Sequence, residues 1–372
     1  MSLLFHKHNV QTAVAVIVIH IFFVCCSSDM SYEEVSLSDE TLDSAIRLNS
    51  DTITMDFDTF YAARDFYVYH DSVLIVINGK AKDSLSFLYF YRMDSMDLIA
   101  KYFRYGNGHG EMLSANVDLN DDVLFVNDYV KAQFAFINVD SLLYSSGNYS
   151  VLPKNHNVYG APTVVPYKNL YITENPYCFC DEEAGIEQGV EQGISRFIVT
   201  NGKDSPLDGN DYKINPRNVA VDGRIICKPD GNAFVYASFG LSQVEFYDKD
   251  LSLLRIVDGP RRLKVNYNRI TIDGNSQEQI MYDGKVPYCY LGYCCDDEFV
   301  YLAYVGDFFG GNEDLQSMPT YILKFDWNGD YVSGYKYNHY LSCISKGLEE
   351  NTFYATTIDK DGLPMLLKLY MK

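Results

Sequence analysis

The chain has 372 residues, 47% of them hydrophobic and 22% charged, which is enough apolar material for a large core and excludes a disordered chain. Its net charge of -20 sets it against phosphate backbones, so nucleic acid is excluded as a natural partner. Tyr and Phe, 32 and 22 residues, raise the aromatic share to 15% and lean the composition towards half-buried pleated sheet.

Residues 1–25 read as an export signal. Lys7 supplies a cationic start, and an apolar run from Val10 to Val24 follows, interrupted by Gln11, Thr12 and His20. That run suits the apolar part of a signal peptide better than a bilayer-spanning helix of about 20 apolar residues. It leads into Cys25-Cys26-Ser27-Ser28-Asp29, which resembles a bacterial lipobox. Cys26, preceded by the small Cys25, is the expected acylation site. Each buried CH₂ of a lipid chain contributes roughly 0.8 kcal/mol, so several chains would hold the protein durably to a membrane.

Residues 26–44 are polar and acidic and predict a flexible tether. Acidic residues just after the Cys also resemble the surface-export signals of Bacteroides-type lipoproteins. The expected location is therefore the envelope, at the outer membrane or cell surface.

From residue 45 to 372 the sequence predicts short strands and no helix. Asp71–Ile77 ends at Asn78-Gly79, a strong turn pair. Strands are expected at Ser86–Tyr91, Asp122–Asn127 and Gln133–Ile137. The clearest unit is Ile225–Cys227, Ala233–Ala237, Gln243–Tyr247 and Leu253–Val257, four strands in about 35 residues joined by tight turns, the size of one propeller blade. Phe299–Tyr304, Tyr321–Phe325 and Tyr331-Val332 repeat the pattern, with Asp326 at the turn position held by Asp248. The last segment is one strand short of a blade, and a strand within Ala45–Phe60 is expected to complete it and close the ring. The length divided by about 45–50 residues per blade predicts an all-β, six-bladed β-propeller with four-stranded antiparallel blades. Paired sandwiches and a β-helix are the alternatives, but no Pro- or Gly-rich linker and no short fixed repeat supports either.

Tyr321–Gly329, with Phe325-Asp326-Trp327-Asn328-Gly329, resembles a blade signature of TolB-like propeller lipoproteins of Bacteroides and relatives. Cys295–Tyr304 resembles the strand before it, and Gly106-Asn107-Gly108-His109-Gly110-Glu111 resembles a turn between early blades, with Asn107 and His109 replacing the usual basic residue and Pro. The resemblance implies six blades on a lipid anchor and implies no reaction.

Candidate chemistry is sparse. Cys178 and Cys180 lie in a C-x-C without a second ligand pair, so no metal is assigned. Asp181 to Gly193 reads as an acidic solvated loop, without the regular spacing of a calcium loop. Cys294-Cys295 reads as a packed pair, and a disulfide between blades involving Cys289 or Cys343 suits an oxidising envelope. The Gly-rich turn presents His109 and Glu111 near Arg104, and Arg261-Arg262 is the notable cationic pair of the body; these five residues are the ligand-binding candidates. Their ordinary readings are a water-facing histidine and arginines paired with the chain's own carboxylates. No catalytic residue and no cofactor is assigned, because the nucleophile-elbow, zinc-protease, phosphate-loop and dinucleotide motifs are all missing. The sequence thus points to a membrane-anchored module that binds a protein, a glycan or another small molecule. A carbohydrate-active hydrolase or lyase using carboxylates in the funnel is the alternative, and a structural envelope subunit is a third reading.

Overall fold

The computed structural model describes residues 32–371 apart from 55–62, 80–84, 146–148, 156–163, 169, 175–196, 201–222, 265–266, 273–276, 283 and 310–314. The expected signal peptide, Cys26, Cys178, Cys180 and the loop from Asp181 to Gly193 all lie outside the described residues.

The described chain is a β-propeller. Blade I is the antiparallel meander β4 (Ala63–Tyr69), β5 (Val73–Asn78), β6 (Ser86–Arg92) and β7 (Leu98–Arg104). Blade II is β8 (Asn116–Asn120), β9 (Val123–Asp128), β10 (Gln133–Asn138) and the short β11 (Lys154–Asn155). Blade III is β15 (Gly223–Cys227), β16 (Ala233–Ser238), β17 (Gln243–Asp248) and β18 (Leu253–Asp258). Blade IV is β21 (Val286–Cys295), β22 (Phe299–Phe309), β23 (Thr320–Asp326) and β24 (Tyr331–Tyr337). Blade V is β25 (Cys343–Lys346), β26 (Phe353–Ile358), β27 (Pro364–Tyr370) and, from the other end of the chain, β3 (Asn49–Ile53). The expected closure between the chain's two ends is thus present, with Leu366 opposite Ile53 and Tyr370 opposite Asn49.

The count of six blades is corrected to five. The division by length overcounts because part of the chain lies outside four-stranded blades: between blades II and III the described residues form a three-stranded sheet of β12 (Val164–Tyr167), β13 (Leu170–Glu174) and β14 (Phe197–Thr200). A two-stranded ribbon, β19 (Tyr267–Ile272) with β20 (Gln277–Tyr282), connects blades III and IV.

A second correction concerns the expected tether. Glu33–Ser36 is β1, which adds in parallel to the outer edge of β18 as a fifth strand. A one-turn helix α1 (Asp39–Asp43) follows and buries Leu42 to 2% exposure. Ile46-Arg47 is β2, a parallel fifth strand on β24 of blade IV. The polar composition hid this strap, because an outermost strand needs few apolar residues and its edge hydrogen bonds come from the backbone.

Second strands are sandwiched between neighbouring blades, and β5 and β16 are buried at every position. This is why they read as unbroken apolar runs and not as alternating ones. The turn from third to fourth strand in blades III and IV has the same form as the turn from second to third strand in blade V. Asp248, Asp326 and Asp359 each accept two backbone N–H groups through Oδ1, from the second and fourth residues beyond, at 2.8–2.9 Å. Trp327, beside that turn in blade IV, is buried and donates to the Asp296 carbonyl at 3.1 Å. Blade II departs from the pattern: Asn138 caps a helix α2 (Val139–Tyr144), accepting from the Ser141 N–H at 2.7 Å.

Candidate functional site

The first strands of the five blades are tied together by their side chains. Ser345 Oγ accepts from the Val68 N–H at 3.0 Å, Thr356 Oγ1 accepts from the Phe66 N–H at 2.9 Å, and the Tyr67 hydroxyl donates to the Val117 carbonyl at 3.2 Å. Asn120 bridges two further blades, donating to the Cys227 carbonyl at 2.7 Å and accepting from Cys295 Sγ at 3.3 Å. The axis is therefore occupied by side chains of β4, β8, β15, β21 and β25.

At its centre Arg224 of β15 meets Asp118 of β8, Nη1 to Oδ1 at 3.0 Å. Asp118 is buried. Burial works against the Arg224 charge, but Asp118 together with Tyr67, Tyr293 and Asp65 outweighs it and holds the guanidinium protonated. Arg224 nevertheless keeps 28% of its side chain accessible. Its guanidinium lies 5.3 Å from the Phe239 ring, and its Nε is a buried donor without a partner. Burial raises the Tyr67 and Tyr293 phenols well above their ordinary range, with Asp118 adding to the effect in both, so both stay neutral donors.

The chain direction defines two faces. Turns between first and second strands lie on one face, and the connections between blades lie on the other, which we call the second face. On the second face blade IV overshoots its neighbours. The pairing of β22 with β23 stops at Tyr304–Tyr321, but the β21–β22 ladder runs on to Val286–Phe309. The projecting hairpin carries Tyr288 stacked on Phe309, with centroids 5.4 Å apart and planes at 15°, and Tyr288 leans on Tyr340 of the blade V connection at 6.2 Å. All three rings are half-buried. Asp65 continues this wall towards the axis: it accepts from Ser342 Oγ at 3.1 Å and pairs with Arg64 Nε at 2.9 Å. Burial, then Tyr288 and then Asp65 raise the Tyr340 phenol, and the Asp65 charge is also felt at Arg224. An aromatic wall at the rim thus leads down to two carboxylate–arginine pairs.

The first face holds a cavity of about 240 Å³ lined by Tyr67, His70, Asp121, Cys295, Asp296 and Lys346, among others. Lys346 donates to Asp296. Burial alone would raise Asp296, but that bond and the N–H groups of Phe299 and Glu298 hold it below the ordinary carboxylate range. Asp121 goes the other way, raised by burial and then by Asp122 and Asp297. His70 stacks on Tyr69 at 3.9 Å and has φ 45° in the tight turn between β4 and β5.

The five residues singled out in the sequence all lie on the second face but in two separate connections. Arg104, His109 and Glu111 belong to the turn between blades I and II. Arg104 and His109 are exposed, whereas Glu111 folds back to accept from the Gly108 N–H at 2.8 Å. A Cβ on Gly106 would stand 2.1 Å from Glu111 Oε2, so the glycine is needed for this close approach. Lys131 clamps the turn by donating to the Glu111 carbonyl at 2.6 Å. Arg261 and Arg262 follow blade III. Arg261 Nε lies 3.6 Å from Asp39 of α1, and Arg262 binds Asp258, so the paired reading holds for both. Sequence reasoning missed Arg224, Asp118 and the Tyr288–Tyr340 wall. The available signal was a charged residue opening the apolar run Ile225-Ile226, where burial demands a partner.

The five described cysteines, Cys227, Cys289, Cys294, Cys295 and Cys343, are free thiols. Cys294 and Cys343 are buried beside the axis, and burial pushes the Cys227 thiol up to about 12, so it stays unreactive at neutral pH. Among the described residues no group of three or more His, Cys, Asp or Glu is placed to hold a metal ion.

No family profile and no curated protein matches the sequence. Solved structures do resemble the fold. A Bacteroides fragilis protein described as exported is 13% identical over 92% of this chain and 100% of its own, with a TM-score of 0.46. A member of the DUF4221 family from Bacteroides vulgatus is 8% identical over 88% of this chain and 99% of its own, with a TM-score of 0.48. The propeller domain of Cps50 (Swd1) from Myceliophthora thermophila is 9% identical over 86% and 99%, with a TM-score of 0.36.

Proposed function

We propose that this chain is an envelope lipoprotein, acylated at Cys26, whose propeller is a binding module with its ligand site in the axial funnel of the second face. The observation that carries the reading is Arg224: a charged group on a first strand, fixed by Asp118 and partly accessible to solvent, whose buried Nε has no partner. Binding residues concentrate where a rigid frame positions them. The anchor rests on the apolar run and Cys25-Cys26 junction, and the TolB-like kinship rests on Tyr321–Gly329. Asp118 and Asp65 are each engaged by an arginine, which suits recognition better than acid–base chemistry.

Native mass spectrometry of the chain purified from its own membranes tests both parts. The expected result is an acylated N-terminal Cys26 and, after incubation with an envelope extract, a noncovalent adduct that is lost in Tyr288→Ala and Tyr340→Ala. An unmodified N-terminus overturns the anchor. An adduct unchanged by both substitutions overturns the funnel assignment.

A further inference from the structure

The funnel's own chemistry narrows the ligand. Its floor is charge-balanced: Arg224 is matched by Asp118 and Arg64 by Asp65. An anion or a cation arriving there meets one partner and one opponent, so net charge is no basis for selection. What the floor offers is adjacent donors and acceptors. A guanidinium carries five N–H donors; Nη1 is spent on Asp118 and Nε is unused. A carboxylate oxygen can accept more than one hydrogen bond. A molecule with neighbouring hydroxyls, each both donor and acceptor, matches such a pattern, whereas a purely apolar ligand offers the accessible part of the guanidinium no acceptor.

The wall adds the second half of the pattern. Tyr288, Phe309 and Tyr340 gather three rings at the rim of one funnel, on a hairpin that projects beyond its blade. Rings in this position give flat apolar contact at low conformational cost and hold a polar tip towards water. The C–H face of a sugar ring is flat and apolar while its edge is all hydroxyl.

We infer that the funnel binds a neutral saccharide, its ring face on the Tyr288–Phe309–Tyr340 wall and its hydroxyls on Arg224, Asp118 and Asp65. The inference rests on the funnel reading above and names its ligand class.

The test is saturation-transfer NMR on the full chain in a sugar-free detergent. The probes are glucose, galactose, mannose, N-acetylglucosamine and their disaccharides, with glucuronate as the acidic comparator. At least one neutral sugar is expected to receive saturation at its C–H protons, with affinity reduced tenfold or more in both Tyr288→Ala and Tyr340→Ala. Both substitutions are at the rim, and an unchanged melting curve confirms that the variants fold. Binding of the neutral sugar that survives both variants overturns the inference. So does a tenfold preference for glucuronate over every neutral sugar. If no neutral sugar binds while the extract still yields a funnel-dependent adduct, the saccharide class is wrong and the funnel site stands. If neither binds, both fall.

Discussion

Arg224 and Asp118 are 106 residues apart in sequence and 3.0 Å apart in space, joining the first strands of blades II and III. Such a pair contributes less than its Coulomb energy suggests, because both groups were desolvated to form it, but removing one partner strands the other. Asp118→Asn is expected to destabilise the domain by about 2–3 kcal/mol, somewhat below the ~3–5 of a fully dry pair because Arg224 keeps some solvent. The double variant Asp118→Leu with Arg224→Met should recover a large part of that loss. Urea unfolding of the parent and the two variants measures it, and equal destabilisation in the single and double variants would remove the coupling.

This pair also marks the limit of what the residues alone could reveal. Strands such as Val73–Ile77 and Gln243–Tyr247 were legible because second and third strands carry β-branched and aromatic runs bounded by Asn-Gly or Asp-rich turns. The closing strand β3 was legible from the missing strand at the other end. The contacts across the axis were not, since they join residues 50 to 277 positions apart through a packing arrangement that no local pattern encodes. Glu111 and Arg262 looked functional because charge near glycine attracts notice; in the structure the first braces its own turn and the second pairs with Asp258. The short helix α2 went unseen although Asn138, three residues before Ser141, is an ordinary capping signal.

The strap is the second place where the chain departs from its expected tether. Leu42 is the buried apolar residue of α1, and it packs with Val257, Trp327 and their neighbours in one core cluster, with Leu37 against its edge. Leu42→Ala is expected to cost about 2–4 kcal/mol, the range for a buried leucine truncated to alanine. Deleting residues 33–44 should cost more, since β1 and its contacts go too. Arg255 reaches from β18 to Glu33 at 2.6 Å and to Asp330, so Arg255→Ala loosens the same strap, by about 1 kcal/mol because its partners are exposed. Thermal melts that leave Leu42→Ala within a degree of the parent would show that the strap is not part of the folded unit.

Gly362 gives a cleaner measure of turn chemistry. It has φ +77° and a Cβ placed there would meet nothing within 4 Å, so an added methyl group costs backbone strain alone. Gly362→Ala should lose about 1 kcal/mol. The same turn hangs on Asp359, whose Oδ1 accepts from the Asp361 and Leu363 N–H groups at 2.8 Å each. Asp359→Ala removes both bonds and should cost about 1–2 kcal/mol. Denaturant titration resolves the two effects, and a stabilising Gly362→Ala would contradict the left-handed geometry.

The cavity on the first face carries two aspartates that respond to acid in opposite senses. Asp296 is depressed below the ordinary value of about 3.9 by Lys346 and two N–H groups, which outweigh its burial. Below that value the unfolded chain binds the proton more readily than the fold does, so this contribution is complete above about pH 4 and is lost as pH falls through the folded value. Asp121 is raised by burial and by Asp122 and Asp297. Between the ordinary value and its raised one the fold binds the extra proton, so stability from this group falls as pH rises through that window. Asp296→Asn should therefore lower stability at neutral pH and flatten its loss in stronger acid. Asp121→Asn should raise stability at neutral pH and leave the acid limb unchanged. Melting temperatures between pH 3 and pH 7 separate the two, and parallel curves for both variants would refute the opposite signs.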